Sequence, residues 1–151
     1  ASFKSKDPSS KVGCVFVDED NRQITMGYNG MIAGIDESKL PWGRNTSVPL
    51  EHQKYGYVVH SEANAIIHTT KSLKKSRCYV TLFPCNECAK LIASKKIKEI
   101  IYLSDKYRDQ DSSRMAKKIF DLSNISYRQL SPSKEIFSKL DKHFNILCED
   151  L

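Results

Sequence analysis

No stretch of this sequence approaches the roughly 20 consecutive apolar residues that a membrane-crossing helix requires, and the opening segment, Ala1 to Lys11, lacks the apolar centre of a secretory signal. Both absences lead us to expect a soluble, cytoplasmic protein with no membrane partner. The five cysteines are odd in number and unevenly spaced, which argues against a disulfide framework and makes metal binding the first alternative use for thiols. There is no internal repeat and no low-complexity block.

What is present is an ordinary folding chain. A hydrophobic share of 40% and a charged share of 28% are close to soluble-domain averages, and 151 residues suit a single domain, 1–151, with enough chain to bury a core. The formal charge of +6 owes much to basic residues scattered through the second half (Lys71, Lys74, Lys75, Arg77, Lys95, Lys96, Lys98). Scattered charge of this kind is chiefly solvated surface; attraction of anionic substrates or nucleic acid is the alternative.

Short β-rich runs alternate with amphipathic stretches, the pattern of an α/β layer fold. Val12–Asp18 and Gln23–Tyr28 flank a polar quartet and predict an antiparallel hairpin that ends in the turn pair Asn29-Gly30. Residues 31–58 carry Gly34, Pro41, Gly43, Pro49 and Gly56 with little periodicity, which predicts one long irregular segment of the kind used as a lid or binding loop. A helix is expected over His60–Thr70 with Ala63, Ile66 and Ile67 on one face, then a strand over Cys78–Phe83 stopped by Pro84. Pro84 also suits the first turn of a helix, expected over Cys85–Lys95 with Cys88, Leu91 and Ile92 at helical spacing. A strand over Ile97–Leu103, a helix over Ser113–Leu122 with Met115, Ile119 and Leu122 inward, and a strand over Ile125–Leu130 complete a run with parallel crossovers. A last helix at about 132–147, with Ile136, Leu140 and Phe144 spaced by four, is expected to pack outside the sheet.

Cys85 and Cys88 stand three apart where a helix begins, which places both sulfurs on one face, close enough to chelate one tetrahedral metal. The helix N-terminus favours their thiolate forms. A lone Cys-x-x-Cys also fits a redox pair or half of a structural zinc knuckle. There is no second Cys-x-x-Cys, however, while His60-Ser61-Glu62 opens the preceding helix. His60, Cys85 and Cys88 make three ligands and leave a fourth position open, which separates a catalytic zinc from a closed structural one. His52, His68, Cys14 and Cys78 are other conceivable ligands; the two cysteines lie within strands as core residues, and His68 sits two helical turns beyond His60.

Successive helical residues turn by ~100°, so His60 belongs at or before the helix cap with Glu62 in the first turn. Glu62 suits a helix N-terminus on electrostatic grounds alone. Two residues from a ligand, it can instead serve as the catalytic proton shuttle, and His-x-Glu followed by Pro-Cys-x-x-Cys is the signature of zinc nucleobase deaminases. Zinc lowers the pKa of water toward ~7, and Glu62 carries the proton to ring N3 and then to the departing ammonia.

From residue 5 to about 130 the sequence resembles the deoxycytidylate deaminase family of the eukaryotic type. The matching pieces are Ser5-Lys-Asp-Pro8 with Val12-Gly13, Gly27-Tyr-Asn-Gly-Met31, Leu40-Pro-Trp42, the segment from Tyr57 to Ile66, the segment from Leu82 to Ile92, and Ser104-Asp-Lys-Tyr-Arg-Asp109. Ser61 departs from the family's usual Ala, and the family's first helix is expected to be shortened, with only its end at Ala1 to Lys6. The resemblance implies a three-layer α/β/α cytidine deaminase fold around a five-stranded mixed sheet, a homohexamer, and conversion of dCMP to dUMP for thymidylate synthesis. It further implies activation by dCTP with Mg²⁺ and inhibition by dTTP. By the same resemblance Asn29 contacts the sugar and base edge, while the backbone around Ala63 and the strand end at Thr81 to Pro84, with Phe83, frame the base; Asn29 in Asn-Gly is otherwise simply a turn residue.

For the substrate phosphate the expected contacts are Lys106, Tyr107 and Arg108, solvated loop charge being the alternative. The expected regulatory pocket comprises Asn29, Gly30, Trp42 and Arg44. Two other readings of the zinc signature stand beside this one. A deaminase of tRNA or single-stranded DNA would interleave aromatic and basic residues along a groove, although no stable nucleic-acid binding is expected. A non-catalytic zinc-bound interaction module would keep its function without Glu62.

Overall fold

The first hairpin forms as its alternating pattern requires. Strands β1 (Gly13–Val17) and β2 (Gln23–Tyr28) pair antiparallel, and their turn is closed by Asn21 at φ 63°, a left-handed conformation that Asn tolerates. The computed structural model describes residues 1–133 together with Glu135 and Ser138. Ile136, Leu140 and Phe144 of the expected last helix lie outside the described residues.

The segment expected to be irregular is pinned at both ends. Two short strands, β3 (Gly30–Met31) and β4 (Val58–Val59), pair antiparallel, and 3-10 turns occupy Glu37–Lys39, Leu50–His52 and Lys54–Gly56 between them. Helix α1 (Ser61–Ile67) follows directly, with His60 at its N-cap. It stops before the expected Thr70, because Thr69 and Thr70 are β-branched and poor helix formers. The rest of the chain alternates: β5 (Arg77–Leu82), α2 (Asn86–Ser94), β6 (Glu99–Ser104), α3 (Asp111–Leu122) and β7 (Ser126–Gln129).

The main sheet runs β2-β1-β5-β6-β7. Strand β1 is antiparallel to β2 and β5, whereas β5, β6 and β7 are mutually parallel, so the α/β class with a five-stranded mixed sheet is as expected.

One apolar cluster joins Cys14, Phe16, Cys78, Val80 and Ile100 of the sheet to Ala65, Ile66, Ala89, Ile92, Ala116 and Phe120 of the helices. The inward helix faces match those expected in part: Ile66, Cys88 and Ile92 are buried, and Ile119 is partly buried against the core. Ile67, Leu91, Met115 and Leu122 are exposed, and on each helix a fully buried alanine (Ala65, Ala89, Ala116) meets the sheet instead. Phe120 decides the matter for α3. Its ring packs 5.9 Å from Phe83 and 6.0 Å from Tyr127, centroid to centroid, and an aromatic buries more apolar area than Met or Leu.

Candidate active site

Two helix caps meet at the C-terminal end of β5. His60 caps α1 and Cys85 caps α2, with Cys88 one turn further along α2. The Nδ1 atom of His60 lies 3.4 Å from the Cys85 sulfur and 3.5 Å from the Cys88 sulfur, and all three donor atoms fall within 4.8 Å of one another. Tetrahedral zinc with ordinary Zn–S and Zn–N bonds separates sulfur from nitrogen by roughly 3.6 Å, so these residues fit the ion. Their charges are arranged for it: hydrogen bonding from Cys88 first, and the neighbouring His60 after it, draw the Cys85 thiol down to about 4. Cys88, as the donor to Cys85, is pushed up, and His60 is raised by its contact with Cys85.

Glu62, in the first turn of α1, is 3% exposed and faces the same cavity as His60 and Cys85. Desolvation pushes its carboxyl above the ordinary range, opposed in part by the Ser61 hydroxyl, which donates to Oε2 at 2.8 Å. The other conceivable ligands stand apart. His68 is held by the Asn64 carbonyl, His52 pairs with Glu51, and Cys14 and Cys78 are buried among the strands.

The cavity has a volume of about 400 Å³. Of the expected substrate contacts it contains Asn29, Phe83 and Tyr107. Thr81 does not line it. Alternation along β5 turns that side chain into a groove on the opposite side of the sheet, where its hydroxyl accepts the Gly13 N–H at 3.1 Å. Pro84 is fully buried behind the site, and the backbone N–H of Ala63 is directed at the Cys88 sulfur. Lys106 lies over the Tyr107 ring, 5.1 Å from its centroid, and Arg108 reaches to 3.9 Å from Asp105; neither borders the cavity.

The residues expected to form a regulatory pocket are divided: Asn29 and Arg44 line the cavity beside Glu62, whereas Gly30 and Trp42 do not. Arg44 donates from Nε to the Tyr55 hydroxyl at 3.2 Å and, among the described residues, has no carboxylate partner within 4.0 Å. Sequence reasoning also missed Asp7, Lys54 and Tyr55 as cavity residues. Lys54 and Asp7 are 47 positions apart and pair at 2.6 Å, a contact that no local pattern announces.

One imidazole and two thiols on two different helix caps, with a buried carboxylate beside them, place the protein among metal-dependent hydrolytic enzymes rather than dithiol redox proteins. The relatives make the class specific. Residues 1–104 match the family described as the cytidine and deoxycytidylate deaminase zinc-binding region, and the chain belongs to that family of zinc-dependent deaminases. It is 45% identical over 130 residues to the deoxycytidylate deaminase of Pongo abelii, spanning 85% of this chain and 72% of that protein. Identity to the deoxycytidylate deaminase of Homo sapiens is 44% over 130 residues, with the same shares covered. Among solved structures, dCMP deaminase from the cyanophage S-TIM5, in complex with dCMP and dUMP, shares the fold with a TM-score of 0.61. That match covers 84% of this chain and 85% of the other at 22% identity.

Proposed function

We propose that the chain hydrolyses dCMP to dUMP and ammonia, with His60, Cys85 and Cys88 as zinc ligands and Glu62 as the catalytic proton carrier. The observation that carries this reading is a buried carboxylate facing the same cavity as two of the three zinc-type donors, in a chain 44–45% identical to proteins named deoxycytidylate deaminase. Zinc supplies Lewis acidity that brings the pKa of water toward ~7. Glu62 takes up the proton water gives up, delivers it to ring N3 of cytosine, and afterwards helps protonate the leaving ammonia. Ser61 holds one carboxylate oxygen of Glu62 during this exchange. Phe83 borders the base, and Ala63 and Pro84 support the site through backbone and packing.

The reading end of the cavity is formed by Asn29 for the sugar and by Tyr107 and Arg44 for the 5′-phosphate. Arg44 is favoured over Lys106 and Arg108 because it borders the cavity and, among the described residues, has no carboxylate within 4.0 Å, while Arg108 lies near Asp105. A phosphate dianion gains about 1.5–3 kcal/mol from each charge-assisted hydrogen bond.

The chain acts as one domain, in the cytoplasm, as a homohexamer activated by dCTP with Mg²⁺ and inhibited by dTTP; Gly30 and Trp42, outside the cavity, are the candidate effector contacts. The assembly and its regulation rest on the family resemblance, the single domain on chain length. Ammonia release from dCMP, deoxycytidine, CMP, dCTP and single-stranded DNA, each with and without dCTP as effector, tests the whole proposal. The expected result is strong preference for dCMP. Equal turnover of deoxycytidine, or preference for single-stranded DNA, refutes the nucleotide assignment.

A further inference from the structure

Asp7 and Lys54 form a buried ion pair at the edge of the cavity, 1% and 5% exposed. The Lys54 ammonium contacts both carboxylate oxygens, at 2.8 and 2.6 Å. The same carboxylate accepts the N–H groups of Ser9 and Ser10, at 2.8 and 3.2 Å, and one amide hydrogen of Asn29, at 3.3 Å. Asn29 gives its other amide hydrogen to the Ser10 carbonyl at 2.8 Å. Both donors of that carboxamide are therefore committed to the protein. Its oxygen takes the Val12 N–H at 2.8 Å and retains a second lone pair with no donor among the described residues, and Asn29 lines the cavity.

An amide left free to flip offers a ligand either donor or acceptor. The fixed amide here offers an acceptor alone.

We propose that the Asp7–Lys54 pair is a positioning element for substrate recognition, locking the Asn29 carboxamide so that the site accepts a hydrogen bond from a sugar hydroxyl and discriminates against sugars without one. The proposal rests on the nucleotide-deaminase reading given above. Asp7 acts through Asn29, its carboxylate oxygens being engaged by Lys54, Ser9, Ser10 and Asn29. A site committed to accepting a hydrogen bond leaves a buried oxygen without its second partner when the hydroxyl is missing, and such sites reject the deficient analogue. The 3′-hydroxyl of a 2′-deoxynucleotide is the donor available.

The test compares dCMP with its 3′-deoxy-3′-fluoro analogue, which matches the hydroxyl in size but carries no hydrogen to donate. In the wild-type holoenzyme kcat/KM is expected to favour dCMP by tenfold or more, with most of the difference in KM. Equal use of the two nucleotides overturns the inference while leaving dCMP deamination standing, and absence of turnover on dCMP overturns the reading beneath it. The variant arm uses D7N/K54M, which removes both charges at nearly constant volume, with zinc content confirming the fold. Its KM for dCMP should rise more than kcat falls, and its preference over the fluoro analogue should shrink toward unity. Unchanged preference in that variant, or a loss confined to kcat, also overturns the assignment.

Discussion

Gly27→Ala separates the seating of α1 from the chemistry it carries. Gly27 lies in β2 directly beneath α1, and a Cβ there would stand 2.1 Å from the Ser61 carbonyl oxygen, 2.7 Å from the Ala65 nitrogen and 3.0 Å from the Ala65 Cβ. The first two are backbone atoms and cannot rotate aside, so α1 must lift by about 1 Å to reach ordinary contact distance. His60 and Glu62 move with it, while Cys85 and Cys88 stay on α2. Metal-ligand distances tolerate about 0.2 Å, and misplacing reacting groups by about 1 Å costs on the order of 100-fold in rate. Overpacking of this kind costs about 1–3 kcal/mol, and at this chain length each kcal/mol lowers Tm by about 2–4 °C. The variant should fold with a lowered Tm, hold less than one zinc per chain, and deaminate dCMP at least 100-fold more slowly. Gly30→Ala is the control, since a Cβ there meets nothing within 4 Å; assayed without effectors it should behave as wild type. A Gly27→Ala protein with full zinc and ordinary kcat/KM, or a Gly30→Ala protein equally impaired, would refute the reasoning.

Glu62→Gln should retain its zinc by metal analysis while deamination falls by about 10²–10⁴-fold, the usual contribution of a general acid–base group; loss of the metal would make Glu62 a ligand. Arg44→Ala should lower kcat/KM on dCMP by at least tenfold and leave the slow reaction on deoxycytidine nearly unchanged, whereas Arg108→Ala should affect neither; the opposite ranking would return the phosphate site to the 104–109 loop. Burial raises the Asp7 carboxyl, but the Lys54 ammonium and the Ser9 and Ser10 N–H groups outweigh it and hold the folded-state pKa below 3.8. The resulting stability is present above the ordinary carboxylate range and is lost as pH falls through the folded value. Asp7→Asn should therefore cost about 3–5 kcal/mol in denaturant unfolding at pH 7, a gap that narrows below pH 3.8. A gap independent of pH would remove the ion pair as its cause.

The metal donors were legible because each is fixed by neighbours in sequence. His60 and Cys85 are helix caps, and Cys88 follows Cys85 by one turn, so local spacing alone carries them together once β5 joins the two helices. The parallel direction of β5, β6 and β7 was legible for a similar reason, since a helix between strands implies a parallel crossover. The inward helix faces were legible only in part. Ile66 and Ile92 are buried as their spacing requires, but apolar size also points to Ile67, Leu91, Met115 and Leu122, which are exposed, while Ala65, Ala89, Ala116 and Phe120 complete the core. Parity along its strand turns the Thr81 side chain away from the cavity. Arg44 was read as a regulatory residue and not as a neighbour of Glu62, and Lys54 was beyond reach, because distant partners place this segment: the Lys54 N–H binds the Gly43 carbonyl at 2.9 Å, and its ammonium binds Asp7.

The route by which residues 43–58 reach the site raises a mechanical question. This segment carries Arg44 and Lys54 and runs through β4 straight into His60, so movement of one end could drag a metal ligand with it. Helix α1 has its own anchors to β2. Asn64 donates to the Tyr28 carbonyl at 2.9 Å, the Thr25 hydroxyl donates to the Ala65 carbonyl at 3.2 Å, and Gly27 allows the close contact between them. These contacts fix His60 from the sheet side whatever the preceding segment does. Changes at Arg44 or Lys54 can thus alter how a nucleotide is read without disturbing the zinc donors, and should appear chiefly in KM. Changes at Gly27 or Glu62 strike the other half of the machinery and should appear in kcat.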